Sequence, residues 1–246
     1  MWIIIITAII TAIITIWVCK KCFGSSKPTK KYDDDIINGI IYMLDSDFDT
    51  KFSLMDLISP KINCFDTPLK TCQLIKKVPD DVPIKLIIST KGGSLVSVDK
   101  IIRTLKKHKT GYVAFVCQEA YSAGAILALG ANEIIMGESS YIGKIDPQLN
   151  EESVINYVNM DGRYKTDRNI CKVRECEHVL AYMDEILECL FKDHKSYPNL
   201  QQIKEMFIYS KMPHCKLFDA EECKKIGLNV RSPTPDEMKY VNLFDD

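Results

Sequence analysis

From Ile84 to Met136 the hydrophobic period of the chain switches repeatedly, and this rhythm limits the possible folds more than any other feature. Ile84-Lys-Leu-Ile-Ile-Ser is a β-rich run closed by Gly92-Gly93, after which Leu95, Val98, Ile101, Ile102 and Leu105 recur at helical spacing. Tyr112-Val-Ala-Phe-Val-Cys117 predicts the next strand. Ala123 to Ala131 predicts a helix that is small and apolar all round, hence buried, and Glu133-Ile-Ile-Met136 a third strand. Strand, crossover helix and parallel strand in this order define an α/β fold. Beyond Pro147 the pattern turns helical: Ile170, Val173, Val179, Leu180, Met183, Ile186, Leu187 and Leu190 form one apolar face. A last short helix is marked by Asp219 as N-cap, Glu222 as its capping-box partner and Gly227 as its stop.

With 246 residues, 46% of them hydrophobic, the chain has enough apolar surface for a full core. A net charge of −1 offers no broad field for nucleic acid. The ten cysteines are scattered, several within apolar runs, and the lone Cys19-Lys-Lys-Cys22 has no second pair at zinc-finger spacing, so they read as reduced and structural, with no metal. No GxGxxG or pyridoxal-type lysine motif appears, and no cofactor is expected.

Trp2 to Val18 carry no charge and are dominated by isoleucine; as a helix they would run about 25 Å, enough for a bilayer core. Thr7, Thr11 and Thr15 can bond back to the helix carbonyls, and Trp2 and Trp17 stand at the two ends. Lys20, Lys21, Lys27, Lys30 and Lys31 follow the span, whereas a cleaved signal would carry its basic residues before it. The expectation is a single-pass membrane anchor in residues 1–19, a juxtamembrane linker in 20–35 and a cytosolic body in 36–246.

Two turns carry candidate chemistry. Gly92-Gly93 closes one strand, and Tyr121-Ser122-Ala123-Gly124 stands at the same place one βα unit later. The glycines let backbone N–H groups approach a ligand oxygen, while Ser122 presents its hydroxyl at a helix N-terminus with the N–H of Ala123 beside it. Two such amides make an oxyanion hole. Each turn alone would be weak evidence; their order in consecutive units gives them weight.

These residues resemble the serine dehydrogenase proteinase family, which groups with the Clp proteolytic subunit and signal peptide peptidase A. The resemblance is carried by Ile88-Ser-Thr-Lys-Gly-Gly-Ser, by Tyr-Ser-Ala-Gly-Ala-Ile-Leu-Ala-Leu-Gly-Ala-Asn-Glu-Ile-Ile-Met-Gly from Tyr121, and by Ile142-Gly-Lys-Ile-Asp-Pro-Gln. It extends over most of Phe65 to Asp246. The resemblance implies a Clp/crotonase-like ββα superhelix with a helical C-terminal extension, Ser122 as nucleophile, Gly93 and Ala123 at the oxyanion positions, a polypeptide substrate and a homo-oligomer. Lys91 stands where the family usually has proline before the glycines, and Ala-Gly follows the serine in place of Gly-Gly.

A serine nucleophile needs a base. By analogy with signal peptide peptidase A, the base would be a lysine forty to fifty residues downstream, a window that holds Lys165 and Lys172. Lys172 ranks first because it lies in the apolar-faced helix; His214 ranks second, with Asp146 or Asp219 to orient it; Lys165 ranks third, in a charged loop. The leading expectation is a membrane-anchored serine peptidase. The alternatives are a catalytically inactive membrane scaffold of the same fold and an acyl-CoA-handling crotonase.

Overall fold

A computed structural model describes residues 30–44, 68–192 and 200–243. The expected anchor in residues 2–18, and the linker as far as residue 29, lie outside the described residues. Helix α1 (Lys30–Ile37) takes in the last residues of the expected linker. Among the described residues no helix is long and apolar enough to cross a membrane.

Five strands form the body of the sheet in the order β1 (Ile40–Leu44), β2 (Ile84–Thr90), β3 (Tyr112–Ala120), β4 (Glu133–Met136), β9 (Val230–Arg231), all parallel. The crossovers are helical: α2 (Pro68–Ile75) precedes β2, α3 (Leu95–Leu105) links β2 to β3, and α4 (Ala123–Leu129) links β3 to β4. The apolar runs are continuous because both faces of the sheet are covered. Ile84, Leu86, Ile88, Ala114, Val116 and Ile134 pack with α3 and α4 in the main core. Ile87, Phe115, Cys117 and Ile135 face the other way, against Val241 and Tyr240 of the short helix α9 (Met238–Val241).

The sheet forks where the site is built. Val113 to Val116 of β3 pair with β4, whereas Glu119 and Ala120 pair with β5 (Tyr141–Gly143). The β4–β5 turn is closed by the buried Ser140 hydroxyl, which donates to the Val116 carbonyl (2.6 Å) and accepts from the Gly137 amide (2.9 Å). Downstream come a two-stranded hairpin of β6 (Gln148–Leu149) and β7 (Glu152–Ser153), then α5 (Val154–Val158) and the long α6 (Ile170–Phe191). α7 (Leu200–Phe207) leads to β8 (Leu217–Phe218), which pairs antiparallel with β5. The last capped helix is α8 (Ala220–Lys225), with both halves of its Asp219–Glu222 capping box formed.

Candidate active site

Ser122 is the N-cap of α4 and one of three non-glycine residues with positive φ among the described residues, at φ 48° and ψ −117°. Such a conformation costs an L-residue of order 1–3 kcal/mol and is kept only where the surroundings enforce it. They do so from several sides. The Tyr121 amide donates to the Thr90 carbonyl (2.9 Å), the Ser122 amide to the Lys144 carbonyl (3.2 Å), and the Gly124 amide back to the Tyr121 carbonyl (2.7 Å). A strand-to-helix turn of this kind lifts a serine hydroxyl out of the backbone path.

The glycine turn lies directly against the serine. Gly92 has φ +104°, and a Cβ there would fall 2.7 Å from Ser122 Cβ, 2.7 Å from the Tyr121 carbonyl oxygen and 3.0 Å from the Ala123 nitrogen. Only glycine permits that approach. Ala123 provides the first N–H of α4, a group with no intrahelical partner by helix geometry. Gly93 follows Gly92 and precedes Ser94, the N-cap of α3. The structure therefore brings the two turns together.

A buried polar group stands just beyond β5. Asp146 is 3% exposed, accepts three hydrogen bonds and forms one longer ion pair. Its Oδ1 lies 2.8 Å from His214 Nδ1 and 3.6 Å from Lys144 Nζ, and its Oδ2 accepts from Gln148 Nε2 (2.9 Å) and Ser153 Oγ (3.0 Å). The hairpin supplies those last two donors together, because Gln148 and Ser153 are cross-strand partners. Its two turn residues, Asn150 and Glu151, both have positive φ (53° and 65°), the pattern of a tight two-residue turn. Because the carboxylate can only accept, Nδ1 of His214 carries the proton, which leaves Nε2 as an acceptor.

Lys144 is equally buried, at 3% exposure, and its ammonium donates to the carbonyls of Ser210 (3.0 Å) and Met212 (2.9 Å). The Ile145 amide donates to the Phe207 carbonyl (3.0 Å), so the 207–214 segment is tied to the 144–146 segment at several points. The same segment borders the nucleophile turn. The Tyr121 phenol is pushed up chiefly by burial, and further by the charges of Glu119 and Cys215, the residue after His214.

The other candidates are engaged with other partners. Lys172 faces solvent on α6, ion-paired with Glu152 and 4.2 Å from the centre of the Tyr157 ring. Its pKa is raised, first by the hydrogen bond to Glu152 and then by Tyr157. That corrects the expectation that helix burial would depress it: a base must give up its proton, and these partners hold it on. Lys165 follows the 3-10 turn Gly162–Tyr164, with its amide on the Gly162 carbonyl (3.2 Å). Asp219 is engaged as a helix cap, its Oδ1 accepting from the Glu222 amide (2.8 Å). His108, the histidine that precedes the serine in the chain, is half-buried, with Nε2 3.2 Å from the Pro79 carbonyl.

Comparison with known proteins fits this geometry. A family description, the ClpP-like SDH-type serine proteinase, matches residues 60–245, most of the chain. The chain belongs to that family. Two uncharacterised proteins of Methanocaldococcus jannaschii are similar to it. One is 29% identical over 168 residues, covering 67% of this chain and 59% of the relative; the other is 27% identical over 164 residues, covering 65% and 56%. The chain thus spans under three-fifths of the length of either relative. Of the buried charged pair, Asp146 is expected from the sequence as one of two possible partners of His214, whereas Lys144 is not singled out there. The available signal was Lys144-Ile-Asp146, two opposite charges one residue apart just after the β5 run.

Proposed function

We propose that the chain is a serine peptidase that hydrolyses polypeptides through an acyl-enzyme on Ser122, with His214 as base and Asp146 as the carboxylate that orients it. The observation that carries the reading is the Ser122 turn. A strained serine at a helix N-terminus is held against a glycine turn, beside a segment in which a buried aspartate pairs with a part-exposed histidine.

In the proposed cycle Ser122 Oγ attacks the scissile carbonyl carbon while His214 Nε2 takes the hydroxyl proton. The carbonyl oxygen gains the negative charge and is met by the amides of Gly93 and Ala123. His214 returns the proton to the leaving amine as the C–N bond breaks, which leaves an ester on Ser122. Water, deprotonated by the same imidazole, then cleaves the ester and regenerates the hydroxyl. Asp146 keeps its charge throughout and stabilises the imidazolium.

The fuller proposal includes a Clp/crotonase-like ββα superhelix with a helical C-terminal extension, assembly into a homo-oligomer, and a membrane anchor in residues 2–18 with the body in the cytosol. The family match supports the first two, and the uncharged run followed by five lysines supports the third. Turnover of an unfolded protein such as β-casein by the full-length chain tests the activity. Cleavage that disappears in Ser122→Ala is expected; cleavage equal in both proteins, or none by the wild type, overturns the proposal. Carbonate extraction tests the anchor, which fails if the protein is released into the soluble fraction.

A further inference from the structure

A buried lysine is costly, because its ammonium must replace all the hydration it loses. Lys144 is 3% exposed yet touches neither an exposed acid nor the surface. Each of its interactions belongs to a different part of the site. Its backbone carbonyl receives the Ser122 amide, its Nζ stands 3.6 Å from Asp146, and its two hydrogen bonds end on Ser210 and Met212, just before His214 in the chain. A lysine that served only packing would not need acceptors from the segment carrying the base.

We infer that Lys144 is a positioning residue that holds the His214 segment in register with Ser122 and offsets the charge of Asp146. The inference rests on the peptidase reading. The hydrogen bonds to the 210 and 212 carbonyls fix where the 213–214 turn leaves the body, and so where the imidazole can reach. The ammonium, 3.6 Å from Asp146 Oδ1, offsets part of the negative charge that faces the imidazole. Lys144 is given a positioning role because its Nζ is committed to the carbonyls of Ser210 and Met212 and stands beside Asp146. Other titratable groups near the His214–Cys215 turn are Cys215 itself, Tyr121 with Glu119 behind it, the exposed Lys211, and Lys216, whose ammonium is ion-paired with Glu222 at 2.8 Å. Among the described residues Lys144 is the lysine whose ammonium is paired with Asp146, at 3.6 Å.

The test uses the full-length protein and a fluorophosphonate probe, with the rate of Ser122 labelling followed from pH 5 to 9 and melting recorded for each variant. Lys144→Met is expected to fold and to label about 10²-fold more slowly, the loss typical of a mispositioned general base. Its acid limb should move up by about one pH unit, because a removed positive charge favours the imidazolium. Lys144→Arg, which keeps charge and donors, should restore the position of the acid limb. In a His214→Ala background, Lys144→Met should cost little more, since its effect passes through the histidine.

Three results overturn the inference: a Met variant that labels at the wild-type rate, one that slows with an unmoved acid limb, or a full additional loss in the His214→Ala background. If the Met variant does not fold, the Arg variant decides: a wild-type pH profile upholds the inference, and a folded Arg variant that no longer labels rejects it. Failure of the peptidase reading looks different, since the wild type would then not label at Ser122 or would label independently of His214.

Discussion

Replacing Gly92 with alanine places one methyl group between the two turns that form the site. The added Cβ would sit 2.7 Å from both Ser122 Cβ and the Tyr121 carbonyl oxygen, and 3.0 Å from the Ala123 nitrogen, against an ordinary carbon contact of about 3.5–4.0 Å. None of these atoms is the end of a flexible side chain, so relief requires the backbones to part by up to about 1 Å. The alanine must also hold φ +104°, where an L side chain is strained. Strain of about 1–2 kcal/mol and overpacking of similar size give an expected loss near 3 kcal/mol, read as a lower urea midpoint at unchanged slope. Displacing the nucleophile by that distance should slow fluorophosphonate labelling by about 10²-fold. Gly162→Ala is the control: nothing lies within 4 Å of its missing Cβ, and stability should change by less than about 0.5 kcal/mol. A Gly92→Ala protein with the wild-type midpoint and labelling rate would refute the account of how the turns are held together.

Ser122→Gly should remove the strain of φ 48° and raise stability by about 1 kcal/mol while abolishing labelling, which pairs a higher melting temperature with lost reactivity. Lys172→Met should leave the labelling rate and its pH profile unchanged, because Glu152 and Tyr157 hold that ammonium charged on the surface; a large drop would return it to candidacy. Glu237 is held down at about 2, first by its hydrogen bonds to Arg231. Its ion pair therefore stabilises the fold above the ordinary carboxylate range and loses that contribution as pH falls towards 2. Glu237→Gln should cost about 1 kcal/mol at pH 7, after allowance for the partly exposed Arg231, and nothing near pH 2; equal costs at both pH values would reject the linkage.

The strands β2, β3 and β4 were legible in the sequence because a sheet covered on both faces writes its strands as unbroken apolar runs, with helical spacing between them. β8 and β9 were not, because two-residue strands carry no period and exist only through pairing with β5 and β4. The helix over Lys30–Ile37 was not legible, since a short charged segment has no apolar stripe by which to announce itself. At the site, the glycine turn and Ser122 were readable because turn chemistry is local. The Asp146–His214 pair was one of two pairings open in the sequence; it joins residues 68 positions apart, and the return of the chain through α7 towards β8 selects Asp146 while Asp219 caps α8. Lys172 shows the limit of periodicity. It lies between the apolar positions Ile170 and Val173 in sequence, but only Val173 is on the buried face, and the lysine turns outward to Glu152.

The most direct test of the central claim is a crystal structure of the protein reacted with a fluorophosphonate. The account predicts phosphorus bonded to Ser122 Oγ, one phosphonyl oxygen about 3 Å from the amides of both Gly93 and Ala123, and His214 Nε2 within hydrogen-bond reach of the adduct, with Nδ1 still on Asp146. An adduct on another residue, or an adduct on Ser122 whose oxygen points away from those amides with His214 turned aside, would contradict it.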